Sequence, residues 1–192
     1  NAGMNAMKLY MHPASTTCRP ILMFVADNDI PMDMQVVDLF TGEQMQDAYA
    51  AINPNRLVPV LEDGDFRLTE SSAILKYLAD KVDSPAYPKD LKKRARVNEM
   101  MDWVNANLYK DLGYGLVYPQ VFPHHARPDE AAQKGTVEWA AEKCRHWLGI
   151  LDKGIMADDR PYLCGDELTI ADYFGADLLG LGDQDRARER DE

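Results

Sequence analysis

Strand signals in this chain stop near residue 82, and that asymmetry restricts its fold more than any other feature. Before that point short apolar runs alternate with helical stripes; after it only helical stripes occur. Lys8-Leu9-Tyr10-Met11, ended by His12-Pro13, has the length of a strand. Cys18, Ile21, Leu22 and Val25 fall at i, i+3, i+4 and i+7 and predict a helix. The hydroxyl cluster Ser15-Thr16-Thr17 stands before it as a capping signal, and Pro20 suits its first turn. Residues 34–39 read as a second strand, and 43–51 as a short helix with Met45 and Tyr49 inward. Asn53-Pro54-Asn55 is a turn. Residues 57–61 read as a strand with Pro59 inside it, Asp63-Gly64 as a hairpin turn and Phe66-Arg67-Leu68 as the returning strand. Ile74, Leu75, Leu78 and Val82 then form a helical stripe behind Glu70-Ser71-Ser72. The order βαβαββα over residues 7–82 places this half in the α/β class.

Residues 83–90 have the composition of a linker, and residues 91–192 read as all-α. Val97, Met100, Met101, Val104 and Leu108 make one stripe, and Ala140, Cys144, Trp147, Leu148 and Leu151 another. A loop is expected around Pro119, Pro123 and Pro128. Thr169-Ile170-Ala171-Asp172 resembles a capping box with Asp in place of Glu, opening a further helix. The last ten residues carry no apolar stripe and read as a solvated or frayed end.

Hydrophobic residues at 46% and charged residues at 28% of 192 fit a globular chain with a sizeable core. A net charge of −11 argues against a duplex nucleic-acid binder and against an anionic membrane surface. No apolar run approaches the roughly 20 residues a membrane span needs, and no secretory signal pattern opens the chain. Asn1-Ala2-Gly3 reads as a tag remnant or arbitrary start, with Met7 a possible initiator, so residues 1–6 are set aside. Cys18, Cys144 and Cys164 cannot all pair, and their spacing suggests neither a disulfide framework nor a zinc site. A reducing compartment is the simplest fit.

Ser15-Thr16-Thr17-Cys18 is an S-x-x-C at a helix start, where free N–H groups favour negative charge. In a C-x-x-C the first position is a low-pKa thiolate. A hydroxyl there cannot be a redox thiol, but it can donate a hydrogen bond to a thiolate brought by another molecule. Pro59 inside a strand signals an irregularity. If its peptide bond is cis, the Val58 N–H and C=O point outward, ready to pair with an extended peptide. Ser71 at a second helix start can hold a carboxylate, and Glu70 can accept from an ammonium. These groups describe a receptor for a small peptide with a carboxylate and an amine at one end and a thiol in its middle, the layout of glutathione.

With these motifs in this order the chain resembles the cytosolic glutathione S-transferase family, in its theta-like or bacterial theta-related form. The resemblance is carried by Leu9-Tyr10, Ser15 and Cys18-Arg19, by Asn53-Pro54 with Val58-Pro59-Val60-Leu61, by the run from Glu70 to Leu75, and by Gly165-Asp166 with Thr169-Ile170-Ala171-Asp172. It implies a thioredoxin-like N-terminal domain over 7–82, a linker over 83–90, and an all-α substrate domain over 91–192 that is short at its C-terminus for this family. It further implies that Ser15 stabilises the glutathione thiolate and that Val58, before Pro59, pairs with the cysteinyl unit. Glu70 and Ser71 would hold the γ-glutamyl end, and Gln44, Arg56 and Leu57 would lie near the glycyl end. Gln44 and Leu57 depart there from a more usual His and a basic residue. Asn105 and Asn107 lie near positions from which some members reach glutathione across a dimer interface. A small electrophile, organic halides included, a homodimer, a cytoplasmic location, and no metal, nucleic acid or membrane partner complete the expectation.

Other readings stay open beside these. Cys18 could make the protein a glutathione-dependent thiol reductase or peroxidase, although its place on the core stripe favours a buried small hydrophobe. A non-catalytic glutathione-binding module is a third possibility. Ser15 could act as an N-cap alone, unless Thr16 or Thr17 takes that task. Cys144 and Cys164 read as structural, His124-His125 as an exposed loop, and Lys92-Lys93-Arg94 with Arg96 as a solvated helix face. Tyr109, Tyr114 and Tyr118 either face the electrophile or simply pack.

Overall fold

The computed structural model of the chain describes residues 7–188, with side chains described for 7–181. The chain divides into two compact units, Asn1–Tyr87 and Pro88–Glu192. The first unit contains strands β1 (Met7–Met11), β2 (Met32–Val36), β3 (Val60–Asp63) and β4 (Phe66–Thr69), with helices α1 (Arg19–Asp27), α2 (Asp47–Ala50) and α3 (Ser71–Lys81). The strands form one mixed sheet in the order β2-β1-β3-β4. β1 runs parallel to β2, with Leu9 opposite Met34, and antiparallel to β3, with Leu9 opposite Leu61. This is the thioredoxin-like arrangement with the expected element order.

Alternation along β1 buries Met7, Leu9 and Met11. Ile21, Phe24 and Val25 of α1 and Ile74, Leu75 and Leu78 of α3 are buried as well, and the two helices pack together. The β3–β4 hairpin turns through Gly64 at φ +63°, a left-handed conformation that suits glycine.

Three expectations are corrected in this unit. β2 begins two residues earlier than expected and stops at Val36, because the Asp38 carboxylate accepts the Phe40 and Thr41 N–H groups and turns the chain. The helix expected over 43–51 is instead a 3₁₀ turn, Glu43–Met45, and the short α2, separated by Gln46 in extended conformation (φ −76°, ψ 152°). Tyr49 is buried as expected, but Met45 is 61% exposed, since that break turns it away from the core. Residues 57–59 lie outside β3, which begins at Val60.

The second unit is helical. Helix α4 (Leu91–Trp103) continues into a π-helical stretch, Val104–Val117, and then α5 (Tyr118–Val121); α6 (Glu130–Ile150) and α7 (Ile170–Arg188) follow. The stripe from Val97 to Leu108 is buried throughout. The loop expected at Pro119 is helix, because proline is tolerated in a first turn; Pro123 sits in a 3₁₀ turn. Within the π-helical stretch, a Cβ on Gly115 would lie 2.8 Å from Ala140 Cβ, so the close packing of α6 there depends on glycine. The Asp172 carboxylate accepts from the Thr169 N–H (2.8 Å), the Thr169 hydroxyl (3.2 Å) and the Leu163 N–H (2.8 Å), a denser cap than the sequence implies. Part of the segment expected to be a frayed end belongs to α7, which reaches Arg188; residues 189–192 lie outside the described residues.

Candidate active site

The loop between β1 and α1 is built by hydrogen bonds of its own. The Ser15 N–H donates to the His12 carbonyl (3.0 Å), and the Ala14 N–H donates to His12 Nδ1 (3.1 Å). The His12 ring is buried and meets Phe40 edge-on at 5.1 Å. His12 therefore shapes the approach to Ser15, a part that the sequence pattern, which marks it only as a strand end, does not reveal.

Ser15 Oγ accepts the Cys18 N–H at 3.3 Å, and its carbonyl accepts the Cys18 and Arg19 N–H groups. Ser15 thus caps the turn that leads into α1 itself; Thr17 does not relieve it. Thr17 is occupied elsewhere, its hydroxyl donating to the Val58 carbonyl at 3.1 Å. The Ser15 and Thr17 hydroxyls also touch each other at 3.1 Å. Residues 41 apart in sequence are joined this way, and the expected neighbourhood of Ser15 and Val58 is present.

Cys18 is fully buried, and burial pushes its thiol up against the smaller opposing effect of hydrogen bonds to Ser15 and His12. That environment suits packing and disfavours a thiolate nucleophile.

The Val58–Pro59 bond is cis. The Leu57 carbonyl accepts from the Tyr49 hydroxyl (2.7 Å) and from Asn53 Nδ2 (2.9 Å), while the Leu57 side chain is 52% exposed. Asn53 is buried, and its Oδ1 accepts the Asn55 N–H at 3.0 Å, so the Asn-Pro turn acts as a brace for the segment ending at Val58. Burial pushes the Tyr49 hydroxyl up, keeping it a neutral donor. Among the described residues the Val58 N–H has no partner within the chain.

Arg56 has a left-handed backbone (φ +56°), and its guanidinium donates to the Met45 carbonyl and to Asp47 Oδ1 (3.2 Å). It links the segment before Val58 to the turn that carries Gln44. The Gln44 Oε1 atom is buried without a hydrogen-bond partner among the described residues. Glu70 is exposed at the start of α3 with φ +69°, a conformation that L side chains rarely adopt, and Ser71 behind it is buried. Ser15, Gln44, Arg56, Leu57, Val58, Pro59, Glu70 and Ser71 all lie in the first unit, whereas Asn105 and Asn107 lie in the second.

In the second unit Tyr109, Tyr114 and Tyr118 pack against one another, with centroids 5.1 to 6.3 Å apart, and the Tyr109 and Tyr118 hydroxyls are 2.8 Å apart. His125 joins them at 5.3 Å from Tyr118, so His124-His125 is part of an aromatic cluster and not a bare loop. Asn105 is exposed and Asn107 half-buried on the π-helical stretch. Lys92, Lys93 and Arg96 are exposed, consistent with a solvated face. Among the described residues no cluster of His, Cys, Asp and Glu could hold a metal ion, and no helix is long and apolar enough to cross a membrane.

A family model described as glutathione S-transferase, N-terminal domain, matches residues 14–81. Human glutathione S-transferase theta-1 is 43% identical over 168 residues, spanning 86% of this chain and 69% of that protein. Human glutathione S-transferase theta-2 is 32% identical over 183 residues, spanning 90% of this chain and 70% of that protein. Among solved structures, the human theta-class glutathione transferase in complex with the glutathione conjugate of 1-menaphthyl sulfate matches with a TM-score of 0.81 at 32% identity, covering 91% of this chain and 71% of that one.

Proposed function

This chain belongs to the theta-like cytosolic glutathione S-transferase family, enzymes that join glutathione to electrophiles, and from that premise we propose that Ser15 is the hydroxyl that holds the glutathione thiolate. The reaction is nucleophilic attack of that thiolate on an electrophilic carbon, with a halide or similar group leaving. A hydrogen bond from Ser15 and the start of α1 favour the ionised sulfur, and each tenfold gain in thiolate over thiol corresponds to about 1.4 kcal/mol. Binding both reactants in reach of each other supplies the rest of the acceleration.

The observation that carries this reading is the contact chain from Ser15 through Thr17 to the Val58 carbonyl. It gathers a hydroxyl and an open backbone N–H within one small loop cluster, the pair a cysteinyl residue needs for its sulfur and its own peptide group. Ser71 and the α3 start receive the γ-glutamyl carboxylate, and Glu70 its ammonium. The rare backbone of Glu70 supports this, since strain of that kind collects where function demands it. Gln44 would turn its amide N–H2 group to the glycyl carboxylate, since a carboxylate only accepts; Arg56 and Leu57 contribute by shaping that segment, because the guanidinium and the Leu57 carbonyl are engaged within the chain. The electrophile is a small molecule, the assembly a homodimer and the location the cytoplasm.

The test is Ser15→Ala, measured for kcat with a generic aryl halide and for glutathione affinity by calorimetry. The expected result is a large loss of kcat with affinity little changed; wild-type turnover would remove Ser15 from the mechanism. Cys18 chemistry is checked separately by Cys18→Ala, with conjugation surviving the substitution excluding a thiol mechanism.

A further inference from the structure

We propose that Thr17 is a positioning residue for the conjugation reaction: its hydroxyl sets the direction of the Ser15 proton and ties that hydroxyl to the Val58 peptide. The proposal rests on the reading of Ser15 as donor to the thiolate, and deepens it.

The direction follows from proton counting. A threonine hydroxyl has one proton, and a carbonyl oxygen can only accept. The 3.1 Å contact with the Val58 carbonyl therefore takes the Thr17 proton. In the second 3.1 Å contact, between the two hydroxyls, Ser15 must then be the donor and Thr17 the acceptor. Ser15 Oγ in turn accepts the Cys18 N–H at 3.3 Å. The result is a one-way chain running from the Cys18 N–H through the Ser15 and Thr17 hydroxyls to the Val58 carbonyl.

Two consequences concern the reaction. Without glutathione the Ser15 proton rests on Thr17, so the hydroxyl has a defined orientation. When a thiolate arrives, that proton swings to the sulfur by rotation about the Cβ–Oγ bond alone, because a charged acceptor attracts a donor about twice as strongly as a neutral one. The oxygen itself stays where the Cys18 N–H and the turn hold it. Thr17 also fixes the Val58 carbonyl, so the resting direction of the Ser15 proton and the peptide proposed to pair with the cysteinyl backbone are set by one side chain. Small errors in such placement carry large rate effects. Nothing in the sequence pattern singles out Thr17 for this, since its partner lies 41 positions away.

The experiment compares Thr17→Val, which keeps shape and removes the hydroxyl, with Thr17→Ser, which keeps the hydroxyl. The readout is the pKa of enzyme-bound glutathione, followed by ultraviolet absorbance of the thiolate against pH, together with kcat and KM. Thr17→Val removes the acceptor that competes with the sulfur for the Ser15 proton and is expected to lower the bound thiol pKa by about 0.5, roughly a threefold rise in the ratio of thiolate to thiol. Thr17→Ser is expected to restore most of the wild-type value. In a Ser15→Ala background the effect of Thr17→Val on the thiol should vanish, the mark of two groups acting through one another. A wild-type thiol pKa in Thr17→Val, even with a raised KM, reduces Thr17 to a loop clamp and overturns the proposal. So does an equal effect with Ser15 absent. If Ser15→Ala alone leaves the thiol pKa unchanged, the underlying reading of Ser15 fails instead, which is a distinguishable result. Should Thr17→Val not fold, Thr17→Ala takes its place, and failure of both to fold assigns Thr17 a structural role and overturns the proposal as well.

Discussion

The two units hold their shapes by different means. In the first, single polar groups tie one loop segment to another: Thr17 to Val58 across 41 positions, and, nearer in sequence, Tyr49 and Asn53 to Leu57 and Arg56 to Met45. In the second, ring packing and helix stripes dominate, with Trp147 Nε1 donating to Asp111 (2.7 Å) while its ring meets Trp103 edge-on. The polar ties of the first unit each have one geometry, and removing one partner leaves a specific atom unpaired. Ring packing in the second can adapt, because apolar contacts have little directional preference. The unit with fixed polar ties is the one whose chemistry can be read.

That contrast can be tested by substitution, beginning with the change expected to act most strongly. Ser15→Ala should lower kcat on the order of 100-fold, the scale seen when one donor to a developing anion is removed, and cost about 1 kcal/mol of stability, because the Cys18 N–H loses its side-chain acceptor. A loss of stability with kcat unchanged would mean that Ser15 serves the fold and not the reaction. Asp172→Ala removes the acceptor of three donors in the second unit and should cost roughly 2 kcal/mol in urea unfolding. Its effect belongs in stability, not in the pKa of bound glutathione. Tyr49→Phe should cost about 1 kcal/mol and raise KM for glutathione, since Asn53 alone then holds the Leu57 carbonyl. An unchanged KM would show that the brace does not reach the binding groups.

The smallest effect concerns pH. Lys81 and Tyr77 donate to the Asp63 carboxylate and hold it below its ordinary value of 3.8. A carboxylate lowered in the folded state contributes stability above its unfolded pKa and loses it as pH falls through the folded one. Asp63→Asn should therefore flatten the stability profile below about pH 4 and leave its shape near neutrality unchanged, as followed by thermal melts across pH.

Much of the first unit is legible in the sequence because its signals are local. Leu9 sits in a strand by the length of its apolar run, Gly64 in a hairpin by its neighbours, and Leu75 and Leu78 in a helix by spacing. Met45 shows where such signals fail: the apolar spacing suits a helix, yet Gln46 is extended and the turn is reset. In the second unit Val104 and Leu108 are buried as their stripe requires, but a four-residue spacing does not distinguish an α-helix from a π-helix. Pro119 has the look of a breaker, yet its place in a first turn makes it compatible with helix. Of the site, Ser15, Val58, Glu70 and Ser71 stand in a recognisable order. Thr17, His12 and Tyr49 escape because their roles depend on partners that only folding brings near.

The doubly held Leu57 carbonyl also settles something about its neighbour. A trans peptide group is a rigid plate, with oxygen and hydrogen on opposite edges. Gripping one edge aims the other, so the amide hydrogen of Val58 is pointed by contacts made on the far side of its own bond. The adjoining plate is pinned as well, by Thr17. On the proposed reading, a visiting peptide meets a hydrogen already oriented, and need not give up binding energy to hold that part of the chain still.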